Sequence, residues 1–333
     1  MTLRELSRRP EVKIVCSIAL LFVAYRFLNW RDLTNAVLRL DPWHLGVGFV
    51  GALFVLLFSA ARWALMACEL DPGAFVRHFR NYLFGIFLGI VTPANIGADL
   101  YRFGSFPKTG GAWPIVSLLL REKVFILLGY LISIVLTLLL VALAGPALTR
   151  DQGLVLPAIG LSAAVGTILI FALHPLIRLL EGRRIVSGRL MRLLAALQSV
   201  AALGTAKQRL ALTGLSLLSV LAWLCGVSAI AAAVGGSAPL LLLWLIAILA
   251  DVARWMPLSL QGIGVREAAF AGMFAFFGAD AAQGFVIGAT AYVLLTAAMV
   301  AAGALALGID LASTLGKVPN RTLSEADKGG NSL

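Results

Sequence analysis

Charge is scarce in this sequence. Asp, Glu, Lys and Arg make up 13% of its 333 residues while 60% are hydrophobic, and the mean hydropathy is +0.95. A soluble domain carries about 25% charge, so this chain has too little polar surface to cover a globule in water. Cysteine is scarce too. Cys16, Cys68 and Cys225 lie in three different apolar runs and form no CxxC or Cys/His spacing, which excludes a disulfide scaffold. The three histidines, His44, His78 and His174, have no carboxylate or thiol at ligand spacing, so neither a metal nor a cofactor is expected. Acidic residues are the rarer charge, 16 against 27 basic, for a net +11. That excess sits in short clusters between apolar runs rather than along one soluble face, which argues against a nucleic-acid partner and for topology signals. From Val12 to Ile309 no polar block is large enough to fold as an aqueous domain.

What is present is a series of apolar runs. A crossing of about 30 Å of hydrocarbon needs about 20 residues at a 1.5 Å rise. On that ruler helices are predicted at 12–29, 43–68, 123–145, 154–178, 209–234 and 281–309. The first run ends in Tyr25-Arg26-Phe27-Leu28 rather than in small residues, so it reads as a span and not a cleaved signal. Between Arg178 and Arg209 seven basic residues stand against Glu181 alone, which places this loop and the basic N-terminus in the cytoplasm. Within it Val186, Leu190, Leu193, Leu194, Leu197 and Val200 recur at helical spacing, which suits a helix on an anionic leaflet or a plain linker. The expected organisation is one transmembrane domain over 1–310, in halves 1–178 and 209–310, followed by a disordered cytoplasmic tail at 311–333.

Two segments fail the ruler. The first is broken at Thr92-Pro93-Ala94-Asn95-Ile96-Gly97-Ala98-Asp99-Leu100-Tyr101-Arg102, the second at Pro257-Leu258-Ser259-Leu260-Gln261-Gly262-Ile263-Gly264-Val265-Arg266-Glu267. Each has a proline to end a helix, glycine to turn, then an arginine and a carboxylate. Irregular backbone at membrane depth survives only against protein or a wet cavity, so both breaks must face inward. An even number of crossings between the two cytoplasmic clusters requires the segment from 82 to about 118 to enter and return as a re-entrant hairpin. One broken helix in each half is the pattern of a binding site between inverted repeats. Its chemistry suits an anion: helix N-termini carry about half a positive charge, and Arg102 and Arg266 add whole ones. Asp99 and Glu267 would orient those guanidiniums, select a cationic headgroup or accept a proton. The candidate binding residues are therefore Asn95, Gly97, Asp99, Arg102, Gln261, Gly262, Gly264, Arg266 and Glu267. Arg62, Arg121, Glu122, Lys123, Asp251 and Arg254 support them. An unpaired charge at the bilayer centre costs about 2.5 to 3.5 kcal/mol, so these residues either pair inside the bundle or snorkel to an interface. Trp30, Trp43 and Trp113, near span ends, read as interface anchors.

On these residues the chain resembles the transmembrane region of lysylphosphatidylglycerol synthases and stand-alone flippase-like proteins related to it. The carried motifs are Pro93 with Asn95-Ile96-Gly97-Ala98-Asp99 and Arg102, then Arg121-Glu122-Lys123, then Gly262-Ile263-Gly264-Val265-Arg266-Glu267, with Arg62 fitting the pattern. Ala98 stands where the family commonly has a second glycine, and Lys123 where it has arginine. The resemblance implies an all-helical domain which, in the multiple-peptide-resistance proteins, moves aminoacylated phosphatidylglycerol between leaflets. Some relatives are linked to polyisoprenoid or hopanoid lipids. The soluble aminoacyl transferase domain of the larger proteins is not expected here, nor any lipid synthesis.

The sequence therefore predicts an all-α, polytopic integral membrane protein of a bacterial inner membrane, both termini cytoplasmic, with two interrupted helices and an inverted repeat. Its expected role is a lipid flippase or scramblase, not an enzyme, with an anionic lipid headgroup as partner. The competing readings are a membrane enzyme acting on a lipid-linked substrate, with Asp99 or Glu267 as general base, and a non-transporting partner of another membrane complex.

Overall fold

The computed structural model describes residues 38, 40–90, 92, 96–106, 111–144, 149–182, 204–236, 238–253 and 264–315. Nine helices and no strand occur among the described residues: α1 (Pro42–Ala67), α2 (Phe75–Gly89), α3 (Ile96–Gly104), α4 (Ala112–Ala144), α5 (Arg150–Gly182), α6 (Ala206–Ala233), α7 (Leu240–Ala253), α8 (Val265–Phe276) and α9 (Ala281–Leu315). Five of them, α1, α4, α5, α6 and α9, contain stretches long and apolar enough to cross a membrane. They answer to the spans predicted at 43–68, 123–145, 154–178, 209–234 and 281–309. The span predicted at 12–29, most of the basic segment 178–209, and residues 316–333 of the tail lie outside the described residues.

Two boundaries differ from expectation for physical reasons. Helix α4 starts at Ala112, well before residue 123, so Arg121-Glu122-Lys123 lies inside a helix rather than at its edge. Each of those charges has an ionic partner, which removes the reason to end the helix there. Pro114 is tolerated because it falls in the first turn, where backbone N–H groups have no intrahelical acceptor. Helix α9 continues to Leu315, into the segment predicted as tail.

The centre of the bundle is the antiparallel pair α1–α6. The Asp41 amide donates to the Ala233 carbonyl at one end (3.1 Å), and Arg62 Nη1 donates to Ser216 Oγ toward the other (3.3 Å). Between them the Ser59 and Ser219 hydroxyls share a hydrogen bond of 3.2 Å. The approach is close because the facing residues are small: a Cβ added to Gly51 would lie 2.9 Å from Gly226 Cα. In lipid, where apolar surface alone gives helices no reason to associate, such contact supplies the attraction.

Helices α2 and α3 fold back on one another. The His78 and Phe106 rings stack at 4.7 Å at the open end, and Phe84 meets Tyr101 at 5.0 Å halfway. Nearer the turn, Gly97 lies beside the Leu88 carbonyl. Helix α5 packs along α4 and is otherwise tethered by Gln152 Nε2, which donates to the Phe276 carbonyl (3.0 Å). Its Leu154, Leu161 and Ile168 are exposed, an apolar face suited to acyl chains rather than water.

Candidate functional site: two buried ion networks on one helix

Both breaks in the helices are present. Helix α2 ends at Gly89 and α3 begins at Ile96; α7 ends at Ala253 and α8 begins at Val265. At the first, Thr92 Oγ1 accepts the Gly97 amide (2.9 Å) and donates to the Gly89 carbonyl (3.2 Å). One hydroxyl thus serves an N–H at the start of α3 and a C=O at the end of α2, two groups a broken helix leaves without their usual partners. Gly97 is required there, since a Cβ would sit 2.8 Å from the Thr92 side chain. At the second break, Gly264 has φ +83°, a left-handed conformation that favours glycine, and its amide donates to Glu267 Oε2 (2.7 Å).

The first network surrounds Arg102, which is 2% exposed. Its Nη1 donates to Glu122 Oε2 at 2.6 Å, its Nη2 pairs with Asp99, and its Nε donates to the Ala98 carbonyl at 3.3 Å. The guanidinium lies over the rings of Trp63 (4.5 Å) and Tyr82 (4.9 Å). Glu122 is also approached by Arg62 Nη2 at 3.9 Å, and Lys123 Nζ reaches Asp99 at 3.4 Å. Arg121 belongs to a separate pair, with Glu69 at 2.8 Å.

The second network surrounds Arg266, 1% exposed. Its Nη2 donates to Asp251 Oδ1 at 2.8 Å, and the Tyr130 hydroxyl donates to Asp251 Oδ2. The guanidinium lies over Trp223 (5.2 Å) and Tyr292 (5.8 Å). Of the roles expected of Glu267, orienting Arg266 is the one its contacts do not bear out. It does not orient Arg266: it accepts the Gly264 amide at the mouth of α8, and Asp251, one helix earlier, is the carboxylate of that arginine. A carboxylate at the third helical position reaches back naturally to the amide that starts the helix.

The two networks share a helix. Glu122 and Tyr130 are both on α4, eight positions apart, about 12 Å of helical rise. The structure thus brings Asp99, Arg102, Glu122, Lys123 and Arg62 together, and separately Asp251 and Arg266. Asn95, Arg254, Gln261 and Gly262 lie outside the described residues. Sequence reasoning missed Trp63, Tyr82, Tyr130, Ser216, Trp223 and Tyr292. Trp223 sits mid-run in its apolar span, a signal that separates it from Trp43 and Trp113, which are exposed; Trp63, near the end of its run, carries no such signal, and only packing shows it buried.

A polytopic helical membrane protein with ion pairs buried between broken helices is the class these features define. The family model for the lysylphosphatidylglycerol synthase TM region matches residues 11–307, and the chain belongs to that family. Neither the curated proteins nor the solved structures give a match to the chain.

Proposed function

We propose that the protein moves a lipid with an anionic or amphoteric headgroup between leaflets, as a flippase or scramblase. The family ties the chain to lipid handling. The observation that carries the finer reading is the pair of buried ion networks, each at a broken helix and both anchored on α4. Buried charges at membrane depth are expensive, and polar paths and binding sites are where they persist. The headgroup enters beside Gly97, Asp99 and Arg102 on one side and Gly264 and Arg266 on the other, while the tails stay in lipid. An apolar groove of 450 Å³ between α4 and α5, lined by Leu131, Ile134, Val155 and Ile159, suits an acyl chain.

An inverted repeat is part of this reading. Ser59 and Ser219 are 160 positions apart and bond to each other in an antiparallel pair, as residues beside a local two-fold axis do. Trp63 and Trp223, with the same separation, lie under Arg102 and Arg266 respectively. The two halves then alternate, α2–α3 opening toward one face of an inner membrane and α7–α8 toward the other, with both termini cytoplasmic.

The test is transbilayer movement of fluorescent phosphatidylglycerol in proteoliposomes. The protein is expected to accelerate it, and Asp251→Asn to slow it about tenfold, equivalent to about 1.4 kcal/mol of barrier. Equal rates with and without protein reject the proposal.

A further inference from the structure

Among the described residues the two networks differ in charge. In the second, Arg266 is matched by Asp251. In the first, three cations, Arg62, Arg102 and Lys123, face two carboxylates, Asp99 and Glu122, leaving one positive charge among the described residues. Lys123 is half-exposed and balances Asp99 at the rim, so the surplus lies inside, where two buried guanidiniums share Glu122. The sharing is unequal: Arg102 holds the carboxylate at 2.6 Å and Arg62 only reaches 3.9 Å. Arg62 is 2% exposed, its Nη1 finds only the neutral Ser216 hydroxyl at 3.3 Å, and its Nε has no hydrogen-bond partner. Five donors in a fixed fork cannot be satisfied by one hydroxyl and a distant carboxylate.

We propose that Arg62 is the side chain that reads the ligand's negative charge, and that the ligand group is a single monoanion of phosphodiester or carboxylate type. Such a group supplies the counter-charge and the acceptors that Arg62 lacks. Arg102 and Arg266, each already held by a carboxylate, position the broken helices around it. This rests on the lipid-translocation reading and assigns the monoanion to the lipid headgroup.

The closing experiment compares translocation of phosphatidylglycerol, a monoanion, with that of zwitterionic phosphatidylcholine in the same proteoliposomes, alongside the melting temperature in detergent with each lipid added. Wild type is expected to prefer phosphatidylglycerol about tenfold, R62K to keep the preference, and R62Q to bring the ratio to about one. A wild-type ratio in R62Q overturns the inference. Should R62Q fail to fold, R62M decides: it keeps most of the side-chain volume and leaves no unpaired polar group buried, it is expected to bring the ratio to about one, and a wild-type ratio overturns the inference. If wild type moves neither lipid, the transport reading fails by itself. The charge-reading role then stands or falls on whether phosphatidylglycerol raises the melting temperature of wild type and R62K. Inorganic phosphate alone, added at millimolar concentration, is expected to leave that temperature unmoved; a rise equal to the lipid's overturns assignment to a headgroup.

Discussion

Arg102 shows what a buried charge requires. Two aromatic faces, two carboxylates and one carbonyl surround a single guanidinium; Asp99 and the Ala98 carbonyl are on its own helix, while the contacts with Trp63, Tyr82 and Glu122 are lost if the helices around it separate. A cation over a desolvated ring contributes about 2 kcal/mol, which helps offset the cost of leaving water. Glu122 is the harder residue to replace, because two guanidiniums depend on it. E122Q is expected to destabilise the protein by roughly 3–5 kcal/mol, the range for removing one partner of a buried pair. A second change, Arg102→Met, should recover part of that loss because it removes the stranded charge. Melting temperatures of the single and double variants in detergent check this, and strictly additive losses would contradict it.

Helices α2 and α3 hold together through a turn that neither could make alone. Thr92 occupies the place a peptide group would take in an unbroken helix, accepting from Gly97 and donating to Gly89. Further along, Arg102–Glu122 and Lys123–Asp99 tie α3 to α4 by charge. T92V removes the hydroxyl while keeping the shape and is expected to cost about 1–2 kcal/mol, as loss of a capping oxygen does; T92S should restore it. Hydrogen exchange at the Gly97 amide reports the effect locally, faster in T92V and near wild type in T92S.

Across the whole molecule, the question is which side of the membrane each loop meets. Helices α2 and α3 run back on one another, His78 stacking on Phe106, and the re-entrant reading predicts that the chain on either side of the pair meets one face of the membrane. Single cysteines at Pro72 and Ala112, in a chain with Cys16, Cys68 and Cys225 replaced by serine, should react with an impermeant thiol reagent from the same side of sealed vesicles. Labelling from opposite sides would make the segment a full crossing and undo the re-entrant hairpin. The antiparallel α1–α6 pair divides the bundle. Arg62 and Ser216 lie to one side of the Ser59–Ser219 contact, Gly51 and Gly226 to the other.

The positions of the apolar runs, and of the two breaks between them, were set by the sequence itself. Length and hydropathy act over consecutive residues, and so do clustered breakers, Pro93 with Asn95 and Gly97, and Pro257 with Gly262 and Gly264, where a lone proline or glycine such as Pro157 or Gly51 leaves a helix continuous. The arginines and carboxylates that would matter were legible for the same reason, since so few charges occur in apolar surroundings. Their partners were not. Asp251 and Arg266 are 15 positions apart, Arg102 and Glu122 are 20, Tyr130 and Asp251 are 121, and Arg62 and Ser216 are 154. Glu267, adjacent to Arg266 in the chain, turned instead to a backbone amide, because neighbours on a helix point in different directions and the nearest donor was its own helix start. Which charge meets which, and that Arg62 is left short of one, follows from how α1, α4 and α6 cross, a matter only the packed structure decides.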